Sequence, residues 1–197
     1  MKTYSYLLML CVALLIFSCK DEHDPKPAST TQAIVVKNLA ANPEEGGTGH
    51  YTFFSLKNNT IVPVTDSATT NWDIAFNATT IITNSGTSGP GSVGVQIYTG
   101  LFENLTEAPE AGYVQDASSA HAISTGSGNG WYNYNSTTHV ISAIPGRIIV
   151  VKTNANTYAK IEIFNYYQNA PAVPVNTDIA RYYTFRYIYQ GNGTRKF

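Results

Sequence analysis

Tyr158-Ala159-Lys160-Ile161-Glu162-Ile163 places small or apolar side chains at 159, 161 and 163 and an aromatic or charged one at 158, 160 and 162. Such period-2 alternation predicts a strand with one face on a core and the other in water. Working outward, Trp72-Asp73-Ile74-Ala75-Phe76 alternates in the same sense, with Trp72, Ile74 and Phe76 expected on one face and Asp73 and Ala75 on the other. Short runs of this kind recur between Gly, Pro, Asn and Asp clusters at 33–39, 51–56, 60–64, 71–76, 79–83, 93–98, 131–135, 147–153, 157–166 and 181–189. Lys57-Asn58-Asn59-Thr60 and Thr153-Asn154-Ala155-Asn156 supply the turns of two hairpins. Pro171 and Pro174 mark a loop before the last strand, and Gly191-Asn192-Gly193 a final turn. Ten strands need two packed sheets or a closed barrel. The expectation is therefore an all-β chain: a single antiparallel two-sheet sandwich or barrel-like domain over 33–197 with long functional loops.

Composition agrees. Of 197 residues only 13% are charged, while Thr (23), Asn (17) and Tyr (14) are heavily used. Thr and Tyr suit pleated surfaces, and Asn suits the turns between them. A formal net charge of −1 offers no electrostatic reason for a nucleic-acid partner or an anionic membrane surface. There is no repeat of 20 to 50 residues, and 106–119 is the stretch that admits a helical turn. Some thirty residues between Tyr98 and Trp131 carry no strand pattern. A segment of that length inside a compact domain is more often functional than idle, so a binding site is expected to use it.

The N-terminus reads as a targeting segment. Lys2 precedes an apolar run of eleven residues, 7–17, too short to span a bilayer and fitting a cleaved signal peptide over 1–18. The run ends at Ile16-Phe17-Ser18-Cys19, which resembles a bacterial lipobox, with Cys19 the lipidated residue and Phe17 bulkier than the pattern prefers. The two cysteines are Cys11, inside the removed segment, and Cys19, so the mature domain has no disulfide. Both methionines, Met1 and Met9, also leave with the signal. Residues 19–32 are polar and contain Pro25 and Pro27, as a flexible tether does. Lys20-Asp21-Glu22 is similar to a surface-export signal of some Gram-negative lipoproteins, or is simply a solvated linker.

Conventional catalytic signatures are missing: no Gly-x-Ser-x-Gly, no His-Glu-x-x-His, no Cys-x-x-Cys and no P-loop. The Gly-rich stretches 86–94 and 126–130 join no strand to a helix with a Lys at the required place, and read as surface loops rather than phosphate cradles. The acids are few and scattered. A binder is expected rather than an enzyme. His121 and His139 flank the Trp131 strand, and imidazole is the commonest metal ligand. Two such groups facing one cleft suit an iron porphyrin approached from both sides. Their spacing matches no metal motif, however, and two surface residues in a Ser/Thr-rich loop satisfy it equally. Trp131 alternates with Tyr132 and Tyr134, so one set is expected in the core and the other free to stack on a planar ring or a sugar. The C-terminal Tyr-rich strands, with Tyr166, Tyr167, Tyr182, Tyr183, Tyr187 and Tyr189, are expected to cover the sheet and its edges.

Trp72-Asp73-Ile74-Ala75-Phe76, the Gly-rich 85–94, Gly130-Trp131-Tyr132-Asn133-Tyr134, Ile144-Pro145-Gly146-Arg147-Ile148-Ile149, Tyr158-Ala159-Lys160-Ile161-Glu162-Ile163 and Arg181-Tyr182-Tyr183-Thr184-Phe185-Arg186-Tyr187 follow one another in an order that resembles HmuY-type lipoproteins. The resemblance spans most of the chain. It implies an all-β fold and a lipid-anchored protein at the outer-membrane surface, also shed from it. It further implies capture of heme, iron protoporphyrin IX, from host heme-carrying proteins and delivery to a TonB-dependent outer-membrane receptor. In the family as it is resembled here, two His hold the iron, one before the Trp block and one about five residues after that Trp. In this chain the fifth residue after Trp131 is Ser136, and His139 stands three positions further on. Other members use Met, which the mature chain lacks.

The expected arrangement is an apolar slot between loops, with His121 and His139 meeting the iron from opposite faces. Trp131, Tyr132 and Tyr134 are expected to line the pocket, and Lys or Arg at the rim to meet the propionates. Ligation by one His with Tyr132, Tyr134 or Tyr113 stays open. So does a glycan-binding or adhesion module using Trp131 or Tyr132 as a stacking platform, and so does a purely structural surface protein.

Overall fold

The computed structural model describes residues 32–197, so the expected signal peptide, Cys19 and nearly all of the tether lie outside the described residues. Eleven strands follow one another: β1 (Ile34–Ala40), β2 (Thr52–Ser55), β3 (Thr60–Val62), β4 (Ile74–Asn77), β5 (Thr80–Thr83), β6 (Gly94–Thr99), β7 (Tyr132–Asn135), β8 (Val140–Ala143), β9 (Arg147–Lys152), β10 (Tyr158–Tyr167) and β11 (Ala180–Gln190). Five form one sheet in the order β1-β11-β10-β9-β6, four a second in the order β3-β2-β4-β5, and β7 and β8 a separate hairpin. The pairings are antiparallel. Among the described residues no helix is long and apolar enough to cross a membrane.

The core lies between the five-stranded and four-stranded sheets. Alternation along β11 sends Tyr183, Phe185 and Tyr187 inward, all fully buried. They meet Phe54 of β2 and Phe76 of β4, with Phe185 stacked on Phe76 at 5.7 Å and edge-on to Phe54 at 5.8 Å. The two phenols also cross the sandwich: Tyr183 donates to the carbonyl of Ala78 (2.8 Å) and Tyr187 to that of Leu56 (2.9 Å). Those carbonyls belong to the two turns of the smaller sheet, so each buried hydroxyl is satisfied and each turn is fixed in place. The C-terminal tyrosines are thus core residues more than edge covers.

The Asn-rich turns fall where expected. Ser55 pairs with Thr60 across the first and Lys152 with Tyr158 across the second, with Asn59 and Asn156 at positive φ (49° and 55°). Asn reaches that backbone region at lower cost than most side chains.

The solvent face expected for β10 does not exist at its start. Ala159, Ile161 and Ile163 enter the core, but Tyr158 and Lys160 are buried on the opposite face, in a second cluster with Ile148, Val150, Ile188, Phe102 and Leu105. Residues after β6 fold back over the outer face of the sheet, where Phe102, Leu105 and Ala108 cap it. Lys160 is 3% exposed and donates to the carbonyls of Phe102 (2.7 Å) and Leu105 (2.8 Å), its ammonium 4.3 Å from the Phe102 ring centre. Desolvation pulls its pKa down. The unbroken apolar run of β9 has the same cause, since Ile148 and Val150 face this cover while Ile149 and Val151 face the core.

Three further expectations are corrected. No helical turn forms within 106–119; that segment is held by single bridges, Glu107 to Lys196 and Val114 to Val95. Trp72 precedes β4 and packs with Phe53, Val62, Ala75 and Ile82 on the outer face of the small sheet, opposite Ile74 and Phe76, because the extended alternation starts only at Ile74. Strand β8 had no sequence signal, its four residues following a turn of Ser and Thr.

Lys160→Met keeps the aliphatic stem and leaves two buried carbonyls without a donor; we expect a loss of about 2 kcal/mol in urea denaturation. Asp73, buried, accepts the N–H of Leu56 at 2.8 Å, and desolvation raises its pKa from 3.8 to about 6. The folded state therefore binds more protons than the unfolded one between these values, and stability falls as pH rises from about 4 to 6, by on the order of 2 kcal/mol. Asp73→Asn should flatten that part of the stability profile relative to the parent chain.

Candidate functional site

The outer face of the four-stranded sheet is not fully covered. Phe53 of β2 and Ile82 of β5 project there, with Tyr51 beside them, and form the floor of an open cleft of about 660 Å³. Its walls come from Ser67 and Ala68 on one side and from the Gly-rich residues 86–90 and His121 on the other. Trp72 supports the floor from beneath, edge-on to Phe53 at 4.8 Å.

His121 is held at this cleft by Asp116. The buried Asp116 carboxylate accepts the N–H of Thr83 at the end of β5 (2.9 Å) through one oxygen and that of Ala122 (2.7 Å) through the other. The loop bearing His121 is thereby fastened to the small sheet. Gly86 allows the close approach: at φ +52° a Cβ there would lie 1.7 Å from the Asp116 carbonyl oxygen. His121 Nδ1 is 3.7 Å from Asp116 Oδ2 and buried, with no hydrogen-bond partner among the described residues. The side chain is nonetheless about one-third exposed (34%), so its open edge is the one that carries Nε2. The Tyr51 hydroxyl is pushed above the ordinary phenol range, first by burial and then by the Asp116 charge.

Among the described residues that line this cleft there is no Lys or Arg. Several are engaged elsewhere: Arg186 between Glu103 (2.7 Å) and Glu162 (2.6 Å), Arg195 with Glu107 (2.9 Å) and Lys160 under its cap.

The second histidine belongs to the β7–β8 hairpin. Trp131, at its base, is a core residue: the indole N–H donates to the Thr79 carbonyl (2.9 Å), and the ring packs on Tyr183 (5.0 Å), Tyr132 (5.0 Å) and Tyr166 (5.6 Å). Tyr132 is buried with it, so neither ring offers a face to a porphyrin or a sugar in this structure. Alternation failed here because Trp131 lies just before the strand, where the chain bends out of the core. Tyr134 is different, 44% exposed, with its hydroxyl 2.6 Å from Nδ1 of His139 at the hairpin turn. His139 makes no contribution to the cleft that His121 lines. Among the described residues no group of three or more His, Cys, Asp and Glu is gathered as a metal site. Tyr113 is also remote from both imidazoles in bonding, its hydroxyl donating to the Pro109 carbonyl (3.0 Å).

Asp116 had no sequence signal, because its partners are backbone amides and amides leave no mark in a sequence. Gly86 lay within a Gly-rich stretch that reads as an ordinary loop.

Comparison with known proteins places this architecture. The profile of the HmuY protein family matches residues 48–187. Among solved structures, the apo HmuY analog of Tannerella forsythia superposes with a TM-score of 0.52 at 13% identity, covering 81% of this chain and 95% of that one. An HmuY-like protein of Bacteroides vulgatus, described as heme binding, gives 0.49 at 22% identity over 80% of this chain and 91% of its own. A Bacteroides fragilis chain described as a lipoprotein gives 0.49 at 16% over 80% and 88%. No protein of curated function matches. With more than half of its length matched, the chain belongs to the HmuY family.

Proposed function

We propose that this chain is a heme-binding protein of the cell surface, anchored in the outer membrane through a lipid on Cys19 and also released from it. In this reading it takes heme from host heme-carrying proteins and passes it to a TonB-dependent outer-membrane receptor. It performs no chemistry on the heme and engages no nucleic acid. Membership of the HmuY family supports heme as the ligand. The observation that carries the reading onto this chain is His121: an imidazole on the wall of an apolar-floored cleft, its Nδ1 turned inward to Asp116 and its other edge open. Metal-bound imidazoles commonly have the second ring nitrogen turned to a carboxylate, which fixes ring orientation and raises basicity.

His139 has the same general form, with Nδ1 facing an oxygen of Tyr134. His121 and His139 are therefore the proposed iron-facing imidazoles. Since they line no common cleft, one heme held by both requires the hairpin and the His121 loop to close on it. Burial of the flat ring against Phe53, Ile82 and Tyr51 supplies most of the affinity, and ligation supplies the preference for iron porphyrin over the metal-free ring.

The test is a hemin titration of the full chain followed in the Soret band, with His121→Ala and His139→Ala beside it. Saturation at one heme is expected, with His121→Ala weakening binding about tenfold or more. A hemin spectrum and affinity unaltered by both substitutions together would contradict the proposed site, and an unchanged hemin spectrum with the parent chain would contradict the function.

A further inference from the structure

A second cleft lies on the five-stranded sheet, where two irregular segments cover the outer face of β10 and β11. One is the stretch after β6 that carries Phe102 and Leu105. The C-terminal segment runs beside it, tied by the N–H of Phe197 to the Thr106 carbonyl (2.9 Å) and through the Arg195 carbonyl to the N–H of Ala108 (2.8 Å). Between them is a cavity of about 340 Å³, walled by the Phe102 and Phe197 rings, Ile188 and Ala33, with Thr106, Glu103, Arg186 and Lys160 as its polar lining. Small-molecule sites have this make-up, an apolar body with a few polar groups that fix orientation. The charges around it are uneven. Two cations share the Phe102 ring, the Lys160 ammonium 4.3 Å from its centre and the Arg186 guanidinium carbon 4.2 Å. Arg186 is paired with Glu103 (2.7 Å) and Glu162 (2.6 Å). Lys160 has no such partner among the described residues, since both of its hydrogen bonds go to neutral carbonyls. An ammonium carries three N–H donors, so one remains. Desolvation lowers its pKa first, Glu103 opposes this, and the like charge of Arg186 adds to it. A buried cation without an opposite charge in contact favours an anion, whose attraction is strong where water is excluded.

We infer that this cleft binds a small carboxylic acid with an apolar body, its carboxylate on Lys160 and its body against Phe102, Phe197 and Ile188. The carboxylate takes the remaining N–H of Lys160 and leaves the two carbonyl bonds in place, and the exposed Thr106 hydroxyl is a second donor at the wall. Volume limits the ligand to on the order of ten non-hydrogen atoms, well short of a porphyrin. Charge limits it to one carboxylate. Lys160 supplies a single unmatched positive charge, while Glu103 and Glu162 together exceed Arg186 and repel a second anionic group. The site shares no lining residue with the His121 cleft, so it stands whether or not that cleft takes heme.

The test titrates the full chain with benzoate, 3-phenylpropionate and octanoate, each beside its neutral amide, followed by two-dimensional NMR of backbone amides and Ile methyl groups. At least one acid should bind saturably at one per chain, shift the Ile188 methyl and the Phe102 and Thr106 amides, and bind about tenfold or more tightly than its amide. Lys160→Met should remove the preference for acid over amide. Because that variant also loses stability, Ala33→Leu is measured beside it; it fills the cavity without touching a charge and should abolish binding. Shifts from none of the three acids, equal binding of acid and amide, shifts gathered elsewhere on the surface, or acid binding that survives Ala33→Leu unchanged would each overturn the inference.

Discussion

The five-stranded sheet buries side chains on both of its faces, and the rest of the molecule is arranged to supply the two covers. Strands β9 and β10 impose this, with Ile149, Val151, Ala159 and Ile161 pointing one way and Ile148, Val150, Tyr158 and Lys160 the other. The four-stranded sheet covers the first face through Phe54, Ile74 and Phe76. The second face is covered by chain without regular structure, which can be buried only if its backbone polar groups find partners. Lys160 meets that demand by donating to the carbonyls of Phe102 and Leu105. An ammonium in a core is costly in isolation, and here its two carbonyl acceptors and the facing Phe102 ring offset the desolvation.

Because the small sheet spends one face on the core, its other face is free to floor the His121 cleft. Residues 84–91 and 116–123 are tied to the end of this sheet through Asp116, Ser85 and Gly86, so the wall of the cleft is fixed to the same strands as its floor. The hairpin β7–β8, by contrast, is anchored at its base through Trp131 and carries an exposed tip. A buried root and a solvated end are a suitable division for a segment that meets a ligand at its tip.

The sandwich was legible in the sequence because each of its inner faces repeats with period 2, and Asn59 and Asn156 mark turns where positive φ is needed. What escaped is what alternation cannot encode. Lys160 reads as a solvent-facing residue, since nothing local says that a segment some fifty-five residues earlier will fold over it. Trp131 and Tyr132 are adjacent yet both buried in one cluster, their rings 5.0 Å apart, because Trp131 lies at a bend just before the strand and alternation does not hold across it. The histidines were visible as candidates, and their surroundings were not: Asp116, which fastens the His121 loop, is held by backbone N–H groups, and the contact of the Tyr134 hydroxyl with His139 Nδ1 depends on the path of the hairpin turn.

In the proposed function, iron porphyrin meets the imidazoles fixed at two places, the His121 cleft and the hairpin tip that carries His139. The decisive measurement is the position of iron by anomalous diffraction from crystals of the chain grown with hemin. An iron peak within bonding distance of His121, His139 or both is expected. An ordered iron away from both imidazoles would overturn the proposed site.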